Sequence, residues 1–199
     1  MIIPKKSISA FMFFLPILAQ ANNSEFYVGL GLGSANIEGP KVSSFSFISG
    51  EKLEDDSELS TIYLGYQLNK NLAFEIGYTD IGKVKNTFTL NPNVLYDVAI
   101  NDTTSIESKK TYLNIKPQYP INNQFSLFGL IGYSFYDLDY KYTGGFLSTS
   151  ESISKEEFTF GLGGQYQFND QFSGRLQWTR DTPGDLEINA YQASVEMNF

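Results

Sequence analysis

The sequence predicts an all-β fold, an eight-stranded antiparallel up-and-down transmembrane β-barrel, on three observations. Apolar and polar residues alternate with period two in seven of eight strand-like segments, and that alternation gives a strand two unlike faces. The connections alternate between tight and longer, as in a series of hairpins with short turns at one end of a barrel. The polar face is rich in Gly, Ser and Gln rather than in the Lys, Glu and Thr of a solvated surface, and small residues suit the inside of a narrow barrel that side chains nearly fill. A soluble barrel or sandwich with its apolar face inward is the alternative.

The segments follow in order. Residues 1–21 read as a secretory signal peptide: Lys5 and Lys6, an apolar run of 11 residues, then Ala19, Gln20 and Ala21 as a cleavage site. That run is well short of the ~20 residues that span a bilayer as a helix. The barrel domain is residues 22–199. "EFYVGLGLG" sets Phe26, Val28, Leu30 and Leu32 against Tyr27, Gly29, Gly31 and Gly33. "TIYLGYQL" sets Ile62, Leu64, Tyr66 and Leu68 against Tyr63, Gly65 and Gln67. "LAFEIGYTDI" sets Leu72, Phe74, Ile76 and Tyr78 against Ala73, Glu75, Gly77 and Thr79. "YLNIKPQY" places Leu113, Ile115 and Tyr119 opposite Tyr112, Asn114, Lys116 and Gln118. "FSLFGLIGYSF" is apolar on both parities. "FTFGLGGQYQF" and "FSGRLQWT" alternate again, with Phe160, Leu162, Leu176 and Trp178 on the apolar side and Gln165 and Arg175 on the other. The last strand, "AYQASVEMNF", carries Tyr191, Ala193, Val195, Met197 and Phe199 on one face. It must pair with the first strand to leave no open edge in lipid.

Three connections are tight and alike: "LNKNL" (68–72), "INNQF" (121–125) and "FNDQF" (168–172). Each has Asn or Asp in the turn and an apolar residue opening the next strand, so the repeating unit is the hairpin. The other connections, about 36–57, 82–105, 137–154 and 181–189, are polar, and all but the last are long. Aromatics gather at both ends of the strands: Phe26, Tyr66, Tyr119, Phe125, Tyr166, Phe168, Phe172 and Phe199 towards the tight turns, with Tyr78, Tyr133, Phe135, Phe158, Trp178 and Tyr191 towards the long loops. Two aromatic girdles bracketing an apolar band are a transmembrane barrel's signature.

Charge and composition exclude several functions. The formal charge of −8 falls to −10 when the two leader lysines are removed, which argues against nucleic acid as a partner. With no Cys there is no disulfide, and with no His a Ser–His hydrolase site is impossible. Asp80, Asp97, Asp137, Asp139 and Asp181 lie near the long-loop rim, where acids solvate loops or meet divalent cations more often than they catalyse. "GLGLG" (29–33) lacks the third glycine of a phosphate-binding fingerprint. "EKLEDDSE" (51–58) lacks the ligand spacing of a calcium loop. No catalytic residue, cofactor or metal site is expected. Four charges fall on the inward parity: Glu75, Lys116, Arg175 and Glu196. Adjacent strands bring Glu75 within reach of Lys116, and Arg175 within reach of Glu196, and charges inside a narrow bore need such partners.

"NLAFEIGYTDIG", "NIKPQYPINNQFSLFGLIGY" and "DQFSGRLQWTR" resemble strands three to five and seven of the transmembrane domain of the outer membrane protein A family. The resemblance implies a barrel of the bacterial outer membrane with both termini in the periplasm and the long loops outside the cell. It also implies that Glu75, Lys116 and Arg175 belong to an ionic layer blocking the lumen, with Gln165 where the family carries a further acid. The terminal strand, through Tyr191, Val195, Met197 and Phe199, is by the same resemblance the signal read by the outer-membrane assembly machinery. Many members carry a C-terminal peptidoglycan-binding domain, which this chain is expected to lack. The implied function is a structural or surface-interaction role through the long loops, by a monomer contacting outer-membrane lipid and lipopolysaccharide. The alternative is a small low-conductance porin-like channel. The ligand of the loops has no readable code.

Overall fold

A computed structural model describes residues 25–38, 54–90, 100–144, 147–184 and 186–199. The expected signal peptide, Asp97 and residues 51–53 of the acidic stretch lie outside the described residues. The strands are β1 (Phe26–Glu38), β2 (Glu54–Asn69), β3 (Leu72–Leu90), β4 (Ile100–Pro120), β5 (Phe125–Gly144), β6 (Leu147–Gln167), β7 (Phe172–Asp181) and β8 (Glu187–Asn198). They form one closed barrel in chain order, each antiparallel to its neighbours. β8 pairs with β1 from Tyr27↔Asn198 to Glu38↔Glu187, and the Phe199 amide donates to the Phe26 carbonyl at 3.0 Å.

The faces fall as the alternation predicts. Leu30, Leu32, Ile62, Ile76, Leu162 and Leu176 are exposed on the outer wall, while Tyr27, Tyr63, Glu75, Tyr112, Lys116 and Arg175 are buried inside. Outward apolar rows run from Ile62 to Leu68 on β2 and from Leu127 to Phe135 on β5. At ~3.3 Å per residue and a ~40° tilt such rows span roughly 20 Å, close to the ~25 Å apolar band of outer-membrane barrels. Aromatic pairs edge the band: Phe26–Tyr66 (centroids 4.9 Å) and Tyr166–Phe168 (5.6 Å) at the tight-turn end, Tyr133–Phe135 (5.6 Å) and Phe160–Trp178 (5.5 Å) at the other.

The three tight turns share one device. Asn122 Oδ1 accepts hydrogen bonds from the amides of Gln124 (2.9 Å) and Phe125 (2.7 Å). Asn169 Oδ1 does the same with Gln171 (2.9 Å) and Phe172 (2.8 Å), and Asn69 Oδ1 accepts from Asn71 at 2.9 Å. A short polar side chain thus satisfies turn amides that no strand partner can reach.

Inside, large residues lie over glycines on the neighbouring strand. Tyr27 pairs with Gly65 and Tyr63 with Gly29. A Cβ on Gly65 would come within 2.0 Å of the Tyr27 ring, and one on Gly29 within 2.0 Å of the Tyr63 ring. The apolar-on-both-sides β5 has the same cause, since Phe128 and Leu130 are buried inward opposite Gly163 and Gly161.

The longer connections differ from expectation. Residues 137–144 and 147–154 form a ladder, because β5 and β6 pair from Asp137↔Ser154 to Gly144↔Leu147. β3 and β4 likewise pair on from Lys83↔Glu107 to Leu90↔Ile100. A bulge between Asp80 and Lys83 redirects β3 there: Gly82 has φ +67°, and its amide donates to Asp80 Oδ1 at 2.9 Å. β3–β6 therefore stand about 25 Å of strand length above the lipid-facing band, a wall rather than a set of loops. Polar composition predicts loops there, but the strands continue because their cross-strand backbone partners remain in register.

Candidate functional site

The barrel order places β3 opposite β7 and β4 opposite β8. These four strands each deliver one charge to a single level of the bore. Arg175 on β7 donates to both oxygens of Glu75 on β3, at 2.6 and 3.2 Å, so this pair crosses the full bore. Lys116 on β4 lies 3.3 Å from Glu75 and 3.8 Å from Glu196 on β8. Arg175 also reaches Glu196 at 3.2 Å. All four side chains are at most 1 % exposed. The expected pairing across adjacent strands is therefore only part of the arrangement: the shortest contact is Glu75–Arg175 across the bore, and the charges form one four-membered network. The reason is register. Glu75 faces Asn114 and Lys116 faces Ala73, so neighbours are diagonal, while a narrow barrel brings opposite walls within side-chain reach.

Further side chains complete the network. Tyr27 Oη donates to Glu75 at 2.6 Å and Tyr63 Oη to Glu196 at 2.9 Å. Gln165 links the remaining charges, accepting from Lys116 Nζ at 3.2 Å and donating to Glu196 at 2.7 Å. Its oxygen accepts from Lys116 as an acid's would, its nitrogen gives Glu196 a bond that a carboxylate could not donate, and Ser173 adds a bond to Glu196 at 2.9 Å. Lys116 sits 4.6 Å from the Tyr27 ring centre, and the Arg175 guanidinium 4.6 Å from that of Phe128. Cations over aromatic faces gain from the ring quadrupole where water is excluded. Two acids and two bases give this level no net formal charge, the condition under which buried charges are tolerated.

Towards the wall end the bore holds a second charged pair that the sequence reading missed. Lys110 Nζ meets Asp181 Oδ2 at 2.8 Å, with side chains 8 % and 1 % exposed. Asp181 also accepts from Thr159, which shares a hydrogen bond with Ser134. Asp181 was expected to solvate the rim, but it points inward because it continues the parity of Arg175, Gln177 and Thr179 on β7. Parity counted upward from Arg175, and from Lys116 to Lys110, was the available signal. Asp137 and Asp139 are exposed, as rim acids, and Asp80 is half-buried beside the bulge. In the closing strand Tyr191 and Val195 are exposed outward, and Met197 and Phe199 are half-buried at the tight-turn end. Among the described residues no group of three or more acids, His or Cys could hold a metal ion.

The outer membrane protein β-barrel domain family matches residues 7–199. The chain belongs to that family. Solved structures share its fold at low identity. The chain is 18 % identical to Ail, the attachment invasion locus protein of Yersinia pestis, solved with the heparin analogue sucrose octasulfate; the match covers 88 % of this chain and 99 % of that one, with a TM-score of 0.54. For the N-terminal β-barrel domain of Pseudomonas aeruginosa OprF the identity is 12 %, the coverage 88 % and 98 %, and the TM-score 0.57. For OprG from Pseudomonas aeruginosa they are 13 %, 90 % and 98 %, and 0.51. No curated protein matches the chain. The family and the outward apolar band agree: this is an eight-stranded barrel of the outer-membrane type.

Proposed function

We propose that the protein is a closed, non-catalytic barrel of the bacterial outer membrane, whose β3–β6 wall meets other molecules at the cell surface. The observation that carries this reading is the wall itself. Four strands run on past the lipid-facing band, and residues 148–152 and 154–156 of β6 are exposed whichever way their side chains point. Among the described residues, no strand pairs with the far edge of β6 before Phe160↔Arg180. An unpaired edge outside the lipid is a template for an extended partner segment. The wall carries exposed Asp137, Asp139, Glu151 and Glu156 beside Lys83, Lys141 and Lys155. That acidic balance disfavours a sulfated, polyanionic ligand of the kind bound to Ail and favours a protein strand with basic flanks.

In this reading the tight turns and both termini face the periplasm, residues 1–21 direct export, and the outward band contacts lipid and lipopolysaccharide. Tyr191, Val195, Met197 and Phe199 present the terminal strand to the assembly machinery. The barrel needs no second copy to pair a strand edge at lipid level, and in this reading it is a monomer. The interior network of Glu75, Lys116, Arg175 and Glu196 blocks the bore. The competing reading, a low-conductance channel, draws on the polar middle of the bore, where Gln177, Gln192 and Asn114 line the wall.

Because the native chain has no Cys, single Ser150→Cys and Asn123→Cys reporters test the placement. A membrane-impermeant maleimide should label Ser150→Cys on intact cells and Asn123→Cys only after the outer membrane is permeabilised. The reverse pattern would sink the surface role. Planar-bilayer recording tests closure: large, steady conductance from the wild type, unchanged by Glu75→Ala or Arg175→Ala, would establish the channel instead.

A further inference from the structure

Following the inward residues along β8 from the tight-turn end gives Glu196, Ser194, Gln192, Ala190 and Ile188. Along β2 the same walk gives Gly65, Tyr63, Thr61, Leu59 and then Ser57, whose hydroxyl donates to the Ile81 carbonyl. The bore thus passes from ionic to polar to apolar. At the wall end Ile37 of β1, Leu59 of β2, Ile81 of β3, Leu138 of β5, and Leu186 and Ile188 at the start of β8 belong to one buried apolar cluster. β1 and β5 are diametrically opposite in an eight-stranded ring, so Ile37 and Leu138 bring the cluster across the whole bore. The Lys110–Asp181 pair, anchored through Thr159 and Ser134, borders it in register, Lys110 being paired with Tyr136 and Asp181 with Ile188. Tyr136, 1 % exposed and itself in the cluster, lies 5.7 Å (ring centre) from Lys110 Nζ.

We infer that this apolar cross-section is a second seal, in series with the ionic network and independent of it. The inference rests on the closed-bore reading above. The two seals resist ions by different physics. The ionic layer blocks by occupying the bore with groups that hold each other, and any one of its four charges has other partners to turn to. The apolar layer offers an entering ion little beyond the Ser108 and Tyr136 hydroxyls in exchange for its hydration shell, and apolar constrictions close channels by excluding water. In series, the higher barrier sets the current. Breaking the ionic layer alone therefore leaves the barrel silent.

The experiment compares four reconstituted barrels in planar bilayers: wild type, Glu75→Ala, the cap variant Leu138→Ser with Ile188→Ser, and the combination. Each is first shown to be folded by heat-modified gel mobility, and Leu138→Ala with Ile188→Ala replaces the serine pair if the latter does not assemble. Both partial variants should stay at the wild-type baseline. The combination should rise roughly tenfold or more, the change given by lowering a barrier about 1.4 kcal/mol. Conductance from Glu75→Ala alone overturns the second seal, conductance from the cap variant alone overturns its partnership with the ionic layer, and silence of the combination overturns both as the barriers. A conducting wild type would instead defeat the closed-bore reading itself.

Discussion

Arg175 is the residue whose removal should cost the barrel most. Its guanidinium holds Glu75 through two bonds at 2.6 and 3.2 Å and Glu196 through one at 3.2 Å, all buried. Arg175→Met keeps much of the volume but leaves the two buried carboxylates with Lys116 as the network's remaining cation. Removing one partner from a buried network costs about 3–5 kcal/mol, because the uncompensated charge stays desolvated. Glu75→Gln in the same background removes the stranded carboxylate, so the double variant should be more stable than the sum of the singles requires, with a coupling of about 1–3 kcal/mol. The assay is urea unfolding of the barrel in phospholipid vesicles, followed by the fluorescence of the single tryptophan, Trp178, and by gel mobility. With a slope of about 1–3 kcal/mol per molar urea, Arg175→Met should lower the midpoint by at least about 1 M without changing the slope. A shift too small to measure, or strictly additive single and double variants, would refute the claim that these four side chains act as one network.

Three further outcomes follow from the packing. Gly65→Ala should destabilise by about 1–3 kcal/mol, since its Cβ would stand 2.0 Å from the Tyr27 ring, whereas Gly129→Ala, with its nearest neighbour 3.6 Å away, should change the urea midpoint little. Deleting Phe199, whose amide holds the Phe26 carbonyl, should lower the amount of heat-modifiable barrel in the outer membrane, and wild-type amounts would count against its role in assembly. Trp178, packed on Phe160 at the upper edge of the apolar band, should be quenched by brominated lipid chains in reconstituted vesicles, and quenching only by an aqueous quencher would misplace the band.

Much of the fold was legible because a lipid-spanning strand has a strict period of two and must close on its neighbours. That alone orders β1 to β8, places Phe74 and Ile76 outside, and aims Glu75 inward between them. What parity cannot supply is distance across the bore. Glu75 and Arg175 are one hundred residues apart in sequence, and their contact exists only because β3 and β7 become opposite walls of a closed ring. The wall of β3–β6 was illegible for another reason. Once strands leave the lipid, both faces can be polar, so "STSESISKEE" in β6 carries no alternation to distinguish strand from loop.

The change of environment is nonetheless written into β1 and β8, as an inversion. On β1 the outward residues run Phe26, Val28, Leu30, Leu32 and then Ser34 and Asn36, while the inward ones run Tyr27, Gly29, Gly31, Gly33 and then Ala35 and Ile37. On β8 the outward Val195, Ala193 and Tyr191 give way to Asn189 and Glu187, just as the inward Gln192 gives way to Ala190 and Ile188. The two strands change together, for Ser34 pairs with Tyr191 and Ala35 with Ala190. Below that line the solvent outside is hydrocarbon, so the apolar residues point out and the polar ones fill the bore. Above it the solvent is water, the hydrophobic effect acts in its ordinary direction, and the same two strands bury an apolar core. The apolar cap therefore needs no separate explanation from the wall. Where β1 and β8 continue into water their inward residues turn apolar, and in so narrow a bore that interior is the second seal we propose.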